Sequence, residues 1–378
     1  PPRFARGGTG RGREGLSVKK LRGFRVGAGL LAASMFLSLI GCSGNSSTAG
    51  SEMTPRVYRL DDAAVSEKWV SYRPEDVALE VDLSEPDAPV SGEGVERQAG
   101  GVLMSVDAAC EITLNVPGPG EYWVLAEYEP VSINMFENPV TVSLGGTEVT
   151  CSLPFLWEDD VSEVRTDRYG NEVVPDQQYL DAPSLCYLED YEHFTRTPIR
   201  FSLEAGENTL VMTAQNQDIL LRSIRLIRPS EDLAYAEYRA QYADAAEFEG
   251  ILRIEGEDYR AKSDSYIRGR NVQNTSLTPN DPYVKMINAT DDKSNKTMGQ
   301  KVLYEVEVPQ DGVYYLSFKY SQPLKSGGAA YRTIEVDGEV PFAEARDMAF
   351  VHTGIDIYGN ATLGGEEPLG IYLTAGLH

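Results

Sequence analysis

Basic residues are scarce in this chain. Lysine and arginine number 34 against 58 aspartates and glutamates, a formal charge of −24. A nucleic acid or an anionic lipid surface is held by clustered positive charge, so the balance argues against nucleic acid and against an electrostatic hold on anionic lipid. Histidine is scarcer still: His193, His352 and His378 are the only three. The sequence has no His-Glu-x-x-His, no Gly-x-Ser-x-Gly elbow and no phosphate-binding loop, which removes the common metalloprotease, hydrolase and nucleotide chemistries. Carboxylates could form a glycosidase pair, but with so many acids chance pairs are expected, and the chain reads as non-catalytic. The four cysteines, Cys42, Cys110, Cys151 and Cys186, fit no zinc spacing. Nor is there an apolar run of the about 20 residues that a spanning helix needs. The stretch 26–40 is fifteen residues long and contains Gly27 and Gly29.

What is present begins with that short run. Lys19, Lys20, Arg22 and Arg25 lead into it, the layout of a signal peptide, and it ends Leu39-Ile40-Gly41-Cys42. This ending resembles the bacterial lipobox, in which the thiol receives a diacylglycerol and cleavage leaves the cysteine as the first mature residue. Gly41 supplies the small residue that the chemistry needs. Residues 1–41 are therefore expected to be removed, with the Gly/Arg-rich 1–17 as translated upstream sequence and a start at Leu16 or Val18. Cys42 is the expected lipidation site, and 42–54 the lipidated residue and a small, polar tether. The leader takes eight of the 34 basic residues and one of the 58 acidic ones with it, leaving a formal charge of −31. Attachment to the membrane then falls to the lipid, on the extracytoplasmic side. In an oxidising space Cys151 and Cys186 could pair, or all three remaining cysteines could stay separate thiols.

Beyond the tether the chain repeats itself. "ITLNVPGPGEYWVLAEY" (112–128) lies over "YEVEVPQDGVYYLSFKY" (304–320) without a gap. Each copy reads as a strand, a Pro-x-x-Gly turn and a second strand, with apolar residues alternating along Ile112, Leu114 and Val116 and along Val306 and Val308. "RYGNEV" (168–173) is matched to "IYGNAT" (357–362), and "LEAGEN" (203–208) to "LTAGLH" (373–378). This predicts an all-β fold of two tandem sandwiches, 55–229 and 250–378. Between them 230–249 is expected to be a linker helix, N-capped by Ser230 with Glu231 and Asp232 in its first turn. The first copy continues through "TLVMTA" and "ILLRSIRLI". The second stops inside the turn before their counterparts and reads as incomplete at its C-terminus.

"LRIEGEDYRAKSDS" (252–265), "YEVEVPQDGVYYLSFKY" and "IEVDGEVPFAEARDM" (334–348) together resemble the carbohydrate-binding-module-like, galactose-binding-type jelly rolls. More narrowly, with "ILLRSIRLIRPSEDLAYAEYRAQY" (219–242), they resemble the N-terminal region of large bacterial extracellular solute-binding lipoproteins of ABC sugar transporters. The resemblance covers about 55–378 and implies an oligo- or polysaccharide ligand and an ABC permease partner. It also implies a structural calcium ion at Glu255 and Glu257 of "IEGED", where alternating carboxylates on one strand would share a face. The first copy departs from that pattern, reading "YRLDDA" (58–63), and the acid common in the closing strand is Arg222.

Sugars are held by stacked rings and planar polar groups on loops. The insertion 154–197 carries both in Trp157, Tyr169, Asn171, Tyr179, Tyr187 and Tyr191, and Trp157, Tyr169 and Asn171 are the candidates carried forward, with Tyr358 and Asn360 in the second copy. The resulting expectation is a lipid-anchored, carbohydrate-binding N-terminal part of a sugar-uptake lipoprotein. Its rivals are a structural or adhesion spacer making protein contacts, and accessory modules of a surface glycoside hydrolase.

Overall fold

Alternation in the sequence becomes alternation in space along residues 109–116, where Cys110, Ile112, Leu114 and Val116 point inward and Glu111 and Asn115 outward. The computed structural model describes residues 56–132, 138–195, 197–290, 298–324 and 326–378. The leader, Cys42 and the tether lie outside the described residues. In chain order the first repeat comprises helix α1 (Asp62–Trp69) and strands β1 (Val77–Asp82), β2 (Val90–Ser91), β3 (Val95–Gln98), β4 (Gly101–Met104) and β5 (Ala109–Val116). There follow β6 (Gly120–Pro130), β7 (Pro139–Leu144), β8 (Thr147–Ser152), β9 (Trp157–Asp159), β10 (Gln177–Tyr179) and β11 (Ser184–Tyr187). The repeat closes with β12 (Glu189–Asp190), β13 (Phe201–Leu203), β14 (Gly206–Ala214) and β15 (Ile219–Ile227).

Among the described residues these strands make two facing sheets. One runs β11-β6-β15-β4-β3, with β1 added on β15 and β13 on β6; the other runs β12-β8-β7-β14-β5-β2. Tyr122, Val124, Ala126 and Tyr128 of β6 enter the core between the sheets with Ile112, Leu114, Leu210 and Met212. The opposite face of β6 is covered too: Trp123 and Leu125 cluster with Ile227 against Val70 and Tyr72. That double burial explains the unbroken apolar run in β6, which an open sheet would have shown as alternation. Gly145 and Gly146, at φ +58° and +79°, form the tight turn between β7 and β8. A side chain at Gly145 would meet the Ser202 carbonyl at 2.5 Å.

Helix α2 (Tyr235–Gln241) is shorter than the expected linker helix, and its N-cap is Ala234 rather than Ser230. The reason is tertiary. Asp232 is drawn off by Arg346 (Nη2 to Oδ1 3.0 Å), and the Leu233 carbonyl accepts from Ala343 N. The Glu344 carboxylate then receives the Tyr235 amide at 2.9 Å, capping the helix from outside its own segment. Tyr235 and Tyr238 pack their rings on Phe342, at 4.8 and 5.1 Å between centroids.

The second repeat holds β16 (Ala261–Lys262), β17 (Gly269–Arg270), β18 (Ala289–Thr290), β19 (Val302–Leu303), β20 (Glu307–Val308) and β21 (Gly312–Tyr315). After them come β22 (Ser317–Tyr320), β23 (Ala329–Arg332), β24 (Met348–Val351), β25 (Gly359–Thr362), β26 (Gly370–Leu373) and β27 (Gly376–Leu377). Its pairings copy those of the first. Leu203 faces Gly120 and Leu373 faces Gly312; Gly206 faces Val116 and Gly376 faces Val308. The matching of "LEAGEN" to "LTAGLH" is therefore spatial as well. The matching of the two Tyr-Gly-Asn stretches is not. Gly359 faces Tyr320, as Ser184 faces Tyr128, so the counterpart of "IYGNAT" is β11, and "RYGNEV" sits in an added loop.

The two repeats are joined by more than the linker. Strands β10 and β9 from the insertion of the first continue into β16 and β19 of the second, a four-stranded sheet in the order β10-β9-β16-β19. Helix α1 seals one side of it, with Val65, Trp69, Leu156, Leu180 and Ala261 buried together. "YRLDDA" is no strand: Asp61 caps α1 by accepting from Ala64 N at 2.9 Å.

Candidate functional site

Asp167 organises the loop that carries two of the candidate residues. Its Oδ1 accepts from the amides of Tyr169 (2.7 Å) and Asn171 (3.0 Å), and its Oδ2 from the Asn171 side chain (2.9 Å). These bonds, that of the Asn171 side chain foremost, hold the Asp167 carboxyl below its usual range. Gly170, at φ +84°, supplies the left-handed step between them. The ring of Tyr169 is left 67% exposed, with the Arg168 guanidinium 4.6 Å from its centroid.

This loop is fastened to the second repeat. Asn171 Oδ1 accepts from the Lys285 amide at 2.9 Å, the Glu172 amide donates to the Lys285 carbonyl at 2.9 Å, and the Ile287 amide donates to the Glu172 carboxylate. The partner loop has its own Asx turn, in which Asp281 Oδ1 accepts from Tyr283 N at 2.7 Å. That turn leaves Tyr283 91% exposed. Two open aromatic rings thus flank one hydrogen-bonded junction. Tyr283 was missed from the sequence; the Asp-Pro-Tyr turn signal was there, but nothing in it announces that its loop meets the insertion.

The other candidates are placed differently. Trp157 is buried, its ring centroid 4.3 Å from that of Tyr179, inside the shared sheet. Asn360 is exposed on β25 opposite Lys319, and Tyr358 is half-buried just before that strand. The five residues occupy three environments: Trp157 in the shared sheet, Tyr169 and Asn171 on one loop, and Tyr358 and Asn360 at β25. A further ring lies at an open depression of about 500 Å³, where Tyr191 is accompanied by Asp190, Glu192, Thr150 and Gln215.

Glu255 and Glu257 do not lie on a strand. Residues 251–255 are irregular and a turn follows at Gly256 and Glu257, where the Gly256 carbonyl takes the Tyr304 hydroxyl at 2.9 Å. The two carboxylates part company across that turn. Glu255 pairs with Arg253 Nε at 2.9 Å. Glu257 is buried, its Oε2 has no hydrogen-bond partner, and burial pushes its carboxyl up to about 8. A calcium ion takes six to eight oxygens. Among the described residues no cluster of three or more His, Cys, Asp or Glu could hold a metal; the free oxygen of Glu257 is what this turn offers a cation. The described thiols Cys110, Cys151 and Cys186 are free.

No protein-family model matches the chain, and no curated protein matches it. Similar solved structures include a family 6 carbohydrate-binding module of Cellvibrio mixtus lichenase 5A in complex with cellotriose. It is 12% identical over 41% of this chain and 99% of that one, with a TM-score of 0.23. A family 35 carbohydrate-binding module from Clostridium thermocellum is 15% identical over 40% and 100%, with a TM-score of 0.24. The Podospora anserina GH26-CBM35 β-(1,4)-mannanase is 14% identical over 45% and 36%, also with a TM-score of 0.24. Values this low transfer no ligand, and the β-sandwich stands on its own strand pairings.

Proposed function

We propose that the chain is a non-catalytic carbohydrate-binding unit displayed outside the cytoplasm. One observation carries the reading: the exposed rings of Tyr169 and Tyr283 stand on two loops locked together through Asn171 and Glu172. Loops fastened this way need little backbone ordering on binding and present flat apolar ring faces, which suits the stacking of sugar rings. The polar groups beside them, Arg168 and Lys285, suit hydroxyls. An extended oligo- or polysaccharide fits an open surface of this kind better than a monosaccharide, which would need an enclosed pocket.

The same proposal holds the unit at the membrane by a lipid on Cys42, as the N-terminal part of a solute-binding lipoprotein that serves a sugar-uptake permease. The basic and apolar segments ending in Gly41-Cys42 support this. Cys42→Ser should abolish incorporation of labelled lipid; unchanged labelling would remove the anchor. Structural calcium stays proposed at Glu255 and Glu257, whose carboxylates would have to turn toward one another across Gly256 to share the ion. For the sugar itself, the full chain on a glycan array should bind one class of polysaccharide, and the double variant Tyr169→Ala, Tyr283→Ala should lose it.

A second reading, a rigid spacer making protein contacts, is favoured by the sheet shared between the repeats. Silence of the full chain across the array, with both loops intact, would decide for it.

A further inference from the structure

Lys262 is fully buried, and its ammonium nitrogen touches a carboxylate that is nearly so. Nζ lies 2.5 Å from Oδ1 of Asp159, which is 4% exposed, and 2.6 Å from the Ile267 carbonyl. The contact is dictated by strand register. Lys262 of β16 stands opposite Trp157 of β9, and Asp159 is the next residue on the same buried face of that strand. On the far oxygen of the same carboxylate, Asp159 Oδ2, the hydroxyl of buried Tyr259 sits at 2.7 Å. Gln177 completes the surround, its side-chain amide 3.4 Å from Asp159 Oδ1 and 3.3 Å from the Ile267 carbonyl. One amine, one carboxyl and one hydroxyl donor are thus held in a buried site that joins the two repeats.

Two full charges in such a place are expensive, and their mutual attraction only partly repays the loss of water. Burial depresses the basicity of Lys262 and keeps the Tyr259 hydroxyl protonated well past neutrality. The first favours a neutral amine, the form that is a nucleophile, and the second keeps a donor aimed at the carboxyl oxygen. A bond that removes both charges at once relieves the site.

We propose that Lys262 and Asp159 condense to an intramolecular amide, a covalent cross-link between the insertion of the first repeat and the first strand of the second. A proton passes from Nζ to Oδ1 across the 2.5 Å contact, leaving a neutral amine facing a neutral acid. The Nζ lone pair adds to Cγ, forming the C–N bond, and the negative charge that develops on Oδ2 is held by the Tyr259 O–H. A second proton moves from Nζ to Oδ1, the Cγ–Oδ1 bond breaks, and Oδ1 departs as water while the carbonyl re-forms at Oδ2. The product keeps one N–H, donated to the Ile267 carbonyl, and one C=O, accepting from Tyr259. No oxidant, metal or other reactant is consumed. The step is driven by proximity and by loss of the released water from a buried site to bulk solvent.

A tryptic map of the full chain, purified and denatured, tests this. The expected result is a branched peptide joining 98–165 to 261–268, uncut after Lys262 and lighter by one water than the sum of its two parts. Asp159→Ala and Lys262→Met should each abolish it, and Tyr259→Phe should leave a large fraction unlinked. Quantitative cleavage after Lys262 in the unaltered chain, with 98–165 recovered unbranched, would overturn the proposal whatever the variants do.

Discussion

Tyr122 and Tyr314 each donate a hydrogen bond to the carbonyl four residues before them, Tyr122 to Gly118 at 2.7 Å and Tyr314 to Gln310 at 2.6 Å. The bond pins the turn between two core strands at the same place in both repeats, with the ring beneath it buried. Removing one hydroxyl removes one such bond and little else. Tyr122→Phe and Tyr314→Phe should each cost about 1 kcal/mol, read as a shift in urea midpoint with unchanged slope. A loss in one variant and none in the other would show that the turns are not energetically equivalent.

The exposed and the buried aromatics should separate by assay. Tyr169→Ala and Tyr283→Ala leave the core untouched, and each is expected to weaken polysaccharide binding roughly tenfold, about 1.4 kcal/mol, without moving the melting temperature. Trp157→Ala should do the reverse, destabilising by about 3–5 kcal/mol. Calorimetric titration beside thermal denaturation reads both.

Glu257 gives a pH dependence whose sign is fixed. Its carboxyl is raised to about 8 by burial, against about 4.3 in an unfolded chain. Between those values the folded protein keeps a proton that the unfolded one releases, so this contribution is full below the window and is lost as pH rises through it. Glu257→Gln should flatten that slope and be more stable than the unaltered protein at pH values above about 8, by at most about 5 kcal/mol. Calcium should reverse the order of the two proteins at high pH if it binds Glu257. Identical pH profiles in the two would contradict the assignment.

Arg260 is 3% exposed and meets the carboxylates of Asp62 and Glu158, with that of Glu305 3.6 Å away. Arg260→Met leaves these acids partly buried without their cation, and about 3–5 kcal/mol should be lost. Adding Glu158→Gln to that variant should restore part of the stability, because the remaining cost is an unpaired charge; denaturant titration of the single and double variants measures the coupling.

The parts legible in the sequence were those set by local period. The constant offset between 112–128 and 304–320 gave the duplicated strands, and the alternation along β5 gave the buried face. Contacts between distant segments were not legible. The shortened helix α2 depends on Glu344 reaching Tyr235, 109 positions away in sequence. The two Tyr-Gly-Asn stretches look alike because turns reuse the same residues, and only strand register separates a ladder from a loop. Trp157 had the composition of a sugar contact, but its neighbours in β16 belong to the other repeat. Of the candidate site, Tyr169 and Asn171 could be named in advance, and their partner Tyr283 could not.

The sheet β10-β9-β16-β19 changes what kind of object the duplication is. A protein cut between the repeats would leave Trp157, Asp159, Ala261 and Lys262 each facing solvent on a fresh sheet edge, with charges and apolar surface that neither half can cover. The two halves are therefore structurally interdependent. They form one structural unit, and the loops that carry Tyr169 and Tyr283 are held to one another across the join.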